Sequence, residues 1–374
     1  MKDETQRGRK PWLHIVLFLS TLLTTTMAGA IQAGVDPLAD PWQMTSGLPF
    51  AITLMTILLV HEMGHYLMAR YHGVEATLPY FIPAPPIPFI IGTFGAFIKM
   101  KSAPQDRRSL FDVGAAGPLA GLILAIPAVI VGLQLSTVSM DDGMGGGITL
   151  GSSLLLSFLS QITLGLLPDE ANIIMHPIGF AGWIGLFITA LNLLPVGQLD
   201  GGHVVYALFG QKHIWVSRLT LVVILSLGFM RWWDGWLIWG VLLLVLGVRH
   251  PPPLDPYTPL DLKRKIVGWL TLAILAVTFT PAPFSIQEPK VNARNSHQPT
   301  AAGAHLPEYT ALRSDKGLDV LVSTPARFVS LAPCISGHLG TLASRSGQKC
   351  GLEERLMPKP TNTPLEERVN GGPL

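Results

Sequence analysis

The chain has 374 residues, of which 49% are hydrophobic and 13% charged, with a formal net charge of +2. So small a charge excludes nucleic-acid binding through a broad basic surface. Apolar runs of roughly 20 residues recur too often for a soluble enzyme.

The first ten residues carry Lys2, Arg7, Arg9 and Lys10, and an apolar stretch runs from Trp12 to about Ala33. Ala28-Gly29-Ala30 has the look of a signal-peptidase site, so the stretch is a first transmembrane helix or a signal peptide. We read the helix; either way the basic start stays inside and residue 34 lies outside. The next apolar run, 48–71, then crosses inward and contains His61-Glu62-Met63-Gly64-His65. On a helix, two histidines four positions apart share one face, and both imidazoles can reach one tetrahedral zinc ion. Glu62 is placed to act as general base on the attacking water. Two plain core histidines are the alternative, but such a polar trio in an apolar span is costly unless paired or metal-bound.

Residues 72–113 hold Lys99, Lys101, Arg107 and Arg108 and read as a cytoplasmic loop. Within it, LPYFIPAPPIPF is too rich in proline for a regular helix. IIGTFGAFIKM, β-branched and aromatic with Gly92 and Gly95 as punctuation, reads as a short strand or hairpin. Such chain must lie against protein or line a cavity. An edge near Phe94 to Ile98 could pair with an extended peptide; a surface hairpin without a role is the plainer reading.

A span at 111–133 follows, with small residues at 114–117 and 120–121 that suit close helix packing. Residues 134–148 are polar and glycine-rich, and 149–167 are apolar but broken by serine and glycine. A clear span covers 177–195, and others lie near 215–231, 233–248 and 266–280. Arg249 and Lys263-Arg264-Lys265 mark a second basic loop. Positive-inside counting works best if 177–195 runs parallel to 48–71, which requires 149–167 not to cross. The expected fold is an all-α polytopic membrane protein of about seven transmembrane helices, eight if 149–167 crosses, with a short membrane-associated β-hairpin. Residues 282–374 lack a packable pattern and read as a disordered tail, with His297, His305 and His338 solvated. Cys334 and Cys350 there form no zinc-finger or disulfide framework. The expected parts are 1–47 with the first helix, a catalytic core at 48–210, further helices at 211–281, and the tail.

His61 and His65 leave a catalytic zinc one protein ligand short. His72 lies on the same helical face but beyond the predicted membrane end. Asp200 follows Pro195 and Gly197 and precedes Gly201 and Gly202, which together prevent a regular helix. Broken backbone at membrane depth lines a cavity or is buried, so a carboxylate there is a ligand candidate; a helix cap is its ordinary alternative. His203 could orient a ligand or sit in the core, and the core reading is simpler. Asn192 could serve a substrate backbone or bond across helices. Together these residues point to a zinc hydrolase. The rival is a transporter whose broken helix near 195–202 binds an ion, which has no need of Glu62 beside His61.

Three pieces carry a family resemblance: HEMGH at 61–65, GTFGAFIKMKS at 92–102, and Asn192-x-x-Pro195-x-x-x-Leu199-Asp200-Gly201. They resemble the site-2 protease family of intramembrane zinc metalloproteases, over about 48–210. The resemblance implies one zinc ion per chain on His61, His65 and Asp200, with Glu62 as catalytic base and Asn192 placing the substrate. It also implies a hairpin at about 90–100 beside the cleft. It implies regulated intramembrane proteolysis in a lipid bilayer, the substrate being a transmembrane protein cut in or near its span. The detailed likeness is to the branch of cyanobacteria, other bacteria and chloroplasts. A bacterial cell membrane is therefore expected, with the zinc site toward the cytoplasm. Many bacterial relatives insert a PDZ domain between the catalytic spans; here 72–113 is too short and apolar for one.

Overall fold

A computed structural model describes residues 11–287, apart from residue 88, residues 140–146 and residues 169–170. The basic N-terminal segment, the tail beyond Gln287, its histidines and both cysteines lie outside the described residues.

The described chain is mostly helix. Helix α1 spans Pro11–Gln32 and a 3-10 turn at Pro41–Gly47 leads into α2, Leu48–Tyr71. Pro49 sits in the first turn of α2, where a missing N–H costs nothing. Strands β1 (Tyr80–Pro83) and β2 (Thr93–Phe97) form an antiparallel hairpin. Proline-rich chain thus supplies one of the two strands itself, with a register shift at Ile82/Pro83. The hairpin lies along α1. Thr24 Oγ1 donates to the Gly92 carbonyl at 2.7 Å and Gln32 Nε2 to that of Ile90 at 2.7 Å.

Helix α3 covers Arg107–Gln134 and opens on a reciprocal cap. Asp106 accepts from the Ser109 N–H at 2.8 Å, and Ser109 Oγ accepts from the Asp106 N–H at 3.0 Å. Burial alone pushes the Asp106 carboxyl up, but the bonds from Ser109 outweigh it and hold the group below its ordinary value. Strand β3 (Thr137–Ser139) then pairs with β5 (Asn172–Ile174), and α4 (Leu154–Leu164) lies between them in sequence. With 11 residues, α4 is about 16 Å long, half the hydrocarbon thickness.

Helix α5, Pro177–Asn192, is buried on nearly every side and packs against α2 and α3. Its uniform apolarity is that of a helix enclosed by protein rather than by lipid. Helices α6 (Asp200–Phe209), α7 (His213–Phe229), α8 (Gly235–Leu246) and α9 (Leu262–Thr278) complete the bundle. Outward-facing Leu219, Val222, Val241 and Val245 give α7 and α8 an apolar exterior suited to lipid.

The chain is a helical polytopic membrane protein. Among the described residues, four helical runs are long and apolar enough to cross a bilayer: Pro11–Gln32, Pro41–Tyr71, Arg107–Gln134 and Asp200–Phe229. The expected spans at 177–195 and 233–248 appear as helices of 16 and 12 residues. One more departure lies at the C-terminal side. Phe284–Gln287, expected in the tail, forms strand β6, antiparallel to β4 (Gly147–Leu150). Phe284 packs edge-on against Trp183 and Phe187. Four residues that depend on a partner more than a hundred positions away leave no local periodic signal.

Candidate metal centre

Helix α2 presents His61 and His65 from one face, 3% and 6% exposed. The chain breaks between α5 and α6, where Gly197 takes a left-handed φ of +55° and Asp200 begins the new helix. This break carries Asp200 to the two imidazoles. Asp200 Oδ2 lies 3.3 Å from His61 Nε2 and 3.3 Å from His65 Nε2, and the two Nε2 atoms are 3.2 Å apart. A tetrahedral ion with bonds of about 2.0 Å separates its ligand atoms by about 3.3 Å. The triangle therefore fits one zinc ion in size, and two imidazoles with a carboxylate fit it in chemistry. Among the described residues this is the one group of His, Cys, Asp or Glu that could hold a metal.

Helix α3 makes the room. A Cβ on Gly117 would stand 2.0 Å from His65 Nε2, and one on Gly121 would stand 3.1 Å from His61 Nδ1. The small residues at 114–121 thus do more than let helices approach; they seat the two rings. Helix α3 also fixes one ring's tautomer. His65 Nδ1 is 2.7 Å from the Val113 carbonyl, which can only accept. The proton therefore sits on Nδ1, and Nε2 is left with its lone pair toward Asp200 and His61.

The remaining sequence candidates separate. Glu62 is buried at 5% exposure, lines the same cavity and stands outside the ligand triangle. The Ile98 backbone amide lies against its carboxylate. Asn192 closes α5 with Nδ2 3.3 Å from His61 Nε2 and also lines the cavity. His72 is elsewhere: its Nε2 meets Asp112 Oδ2 at 2.8 Å, and Arg264 grips the same carboxylate at 2.8 and 2.6 Å. That cluster ties α2 and α9 to the start of α3. Asp112, with Asp261, holds the Arg264 guanidinium further above its ordinary range. His203 is buried beside Gly114 and bonds to His250. His250 and His213 belong to no spaced motif, so nothing in the sequence marks them as partners of His203.

The cavity holds about 390 Å³ and is walled by the triangle, Glu62, Asn192 and the 96–100 stretch, the end of β2 and the residues after it. Sequence comparison adds the family. The profile of peptidase family M50 matches residues 49–230. The chain belongs to peptidase family M50, the site-2 protease family. It is 37% identical over 244 residues to the probable zinc metalloprotease EGY1, chloroplastic, of Arabidopsis thaliana, covering 63% of this chain and 43% of the relative. The rice (Oryza sativa subsp. japonica) EGY1 is 39% identical over 244 residues, 63% of this chain and 41% of its own. The probable zinc metalloprotease EGY2, chloroplastic, of Arabidopsis is 32% identical over 248 residues, 65% and 43%. This M50 chain therefore spans less than half the length of those relatives.

Proposed function

We propose that this M50 protein is an intramembrane zinc protease that hydrolyses a peptide bond in or near the membrane span of a tethered substrate. The observation that carries the reading is the triangle of His61, His65 and Asp200 with Glu62 beside it in one cavity. Bound zinc would supply a Lewis acid for the scissile carbonyl and a lowered pKa for the attacking water. Glu62 takes the proton from that water and passes it to the leaving amine. Asn192 offers its amide to the substrate backbone. His65, pinned by Val113, and Asp200, delivered by the helix break, hold their positions without reorganising.

A substrate helix must unwind before its peptide bond can be reached, because its amides are bonded within the helix. Strand β2 supports the unwound chain. Its sheet has two strands in the order β1-β2, so among the described residues one edge of β2 has no strand partner. The Ile98 amide faces Glu62 and strand amides alternate in direction, so that of Ala96, which also lines the cavity, points toward the cleft as well. Ala96→Pro removes one of these donors and should lower cleavage by about tenfold or more, whereas Ala96→Ser should change it little. Matched rates for the two variants would dispose of strand addition.

We also infer seven crossings. Strands β3 and β5 pair with each other on either side of α4, so α4 leaves and returns on one face. Helices α7, α8 and α9 each join two opposite ends of the bundle. His250 contacts His213 at one end, and Trp236 donates to Pro281 at the other. Lys99, Lys101, Arg107, Arg108, Arg249 and Lys263 to Lys265 all belong to the end where α3 starts. Positive-inside bias makes that end cytoplasmic, with the cleft opening toward it. Regulated release of a membrane-tethered factor is the corresponding biological role.

Asp200→Asn tests the centre. Asparagine keeps the shape and the helix start but is a poor substitute for an anionic ligand. The folded variant should retain little zinc by metal analysis and cleave a membrane-embedded peptide poorly. Full zinc content with normal cleavage would remove Asp200 from the ligand set.

A further inference from the structure

Three buried histidines beside the centre have no part in the roles above: His203, His213 and His250. Their bonds determine where the protons sit. The His250 backbone N–H donates to His213 Nε2 at 3.2 Å, so His213 carries its proton on Nδ1, which donates to the Gly210 carbonyl at 2.9 Å. His250 Nδ1 faces the Pro251 carbonyl, which can only accept, so that nitrogen is protonated. Burial, with His203 and His213 beside it, pushes the His250 ring down to about 3. The ring is therefore neutral, and its Nε2 carries only a lone pair. His203 Nδ1 meets that Nε2 and must be the donor. A second proton on His203 would bury an unpaired cation. Its Nε2 is thus a bare acceptor.

That acceptor is not spent within the protein. Among the described residues, every buried side-chain nitrogen and oxygen has a partner, and none bonds His203 Nε2. The atom therefore opens to a cavity. His203 borders two of them: the cleft of the metal centre, and a second of about 250 Å³ walled by Pro251 to Pro253. Met100 and Gln198 border both as well. A chain passing from one to the other runs past His203. The one main-chain group that can satisfy a bare lone pair is an N–H.

We propose that His203 Nε2 accepts a hydrogen bond from a backbone amide of the substrate, on the stretch that leads from the metal centre into the second cavity. This rests on the protease reading. The His203–His250–Pro251 chain holds the ring in the accepting tautomer.

The test has two arms. In full-length, zinc-loaded protein labelled with 15N-histidine, NMR should show His203 protonated at Nδ1 and bare at Nε2; a proton on Nε2 overturns the proposal. In the second arm a synthetic transmembrane peptide is cut, the site is mapped, and flanking amides are replaced one at a time by esters. One ester should lower wild-type kcat/KM about tenfold, the loss of a single hydrogen bond. His203→Ala should show the same loss on the all-amide peptide with zinc content unchanged, and that ester should cost the variant nothing more. Separate, additive losses overturn the contact. The same peptides bound to Glu62→Gln report it without turnover. Failure of the wild type to cleave any peptide would instead count against the protease reading, and the binding arm would still decide the contact.

Discussion

Glu62→Gln is expected to keep one zinc ion per chain and to lose peptide hydrolysis by about 10²- to 10⁴-fold, the range of a missing general base. The glutamate sits outside the triangle of His61, His65 and Asp200, so its charge is not needed to hold the metal. It lies in the same cavity, buried, and Asp200 of the triangle is the other carboxylate in that lining, so no second acid is free to take over its proton. Glutamine is isosteric and can still bond to the Ile98 amide through its oxygen, so β2 should stay in place. Metal analysis and cleavage of a reconstituted membrane substrate together read the split. His61→Ala or His65→Ala should lose both quantities, which separates ligand from base. Wild-type turnover by Glu62→Gln would end the hydrolase mechanism.

Gly117→Ala should be nearly as severe without touching a polar group. The new Cβ would fall 2.0 Å from His65 Nε2. The ring cannot swing aside freely, because Nδ1 is bonded to Val113 and the side chain is buried. Either the ring leaves its place or α2 and α3 separate. Zinc affinity should fall by about 100-fold, the upper range for disturbed ligand support. Stability should fall by about 1–3 kcal/mol, as for other overpacked cores. Gly95→Ala, in the hairpin where nothing crowds the added carbon, controls for generic glycine loss, although its own φ of +100° strains alanine. A Gly117→Ala protein with full zinc and full activity would mean the ring has more freedom than its contacts allow.

The parts of this molecule that were legible beforehand are those written in short spacing. His61 and His65 repeat at a helical interval, and Asp200 follows Pro195 and Gly197, which break the chain; Gly201 and Gly202, expected to keep helix away as well, lie inside α6. The ends of α2 followed from apolar length and agree with the structure. What was hidden depends on distant partners. The small residues at 114–121 signal close packing, but nothing local says that the guest is an imidazole. His72 shares the helical face of His61 and His65 but lies past the membrane end, and Asp112 and Arg264, far along the chain, claim it. α5 reads as a clear span, but its burial by α2 and α3 is not legible, because apolarity is the same whether the neighbour is lipid or protein. β4 and β6 are four residues each and exist only as a pair.

That last pair fixes where an attached probe would report. The loop before α9 is tied to the beginning of α3, through the Leu254 N–H to Pro104 and the Asp255 N–H to Gln105. β6, after α9, is tied to β4, beyond the end of α3. Residues 255 and 287 therefore stand at opposite ends of a 28-residue helix about 40 Å long. With α3 and α9 crossing as proposed, a fluorescent protein joined after Gln287 and a cysteine label placed at Tyr257 are expected in different aqueous compartments. A quencher added to one would leave the other untouched.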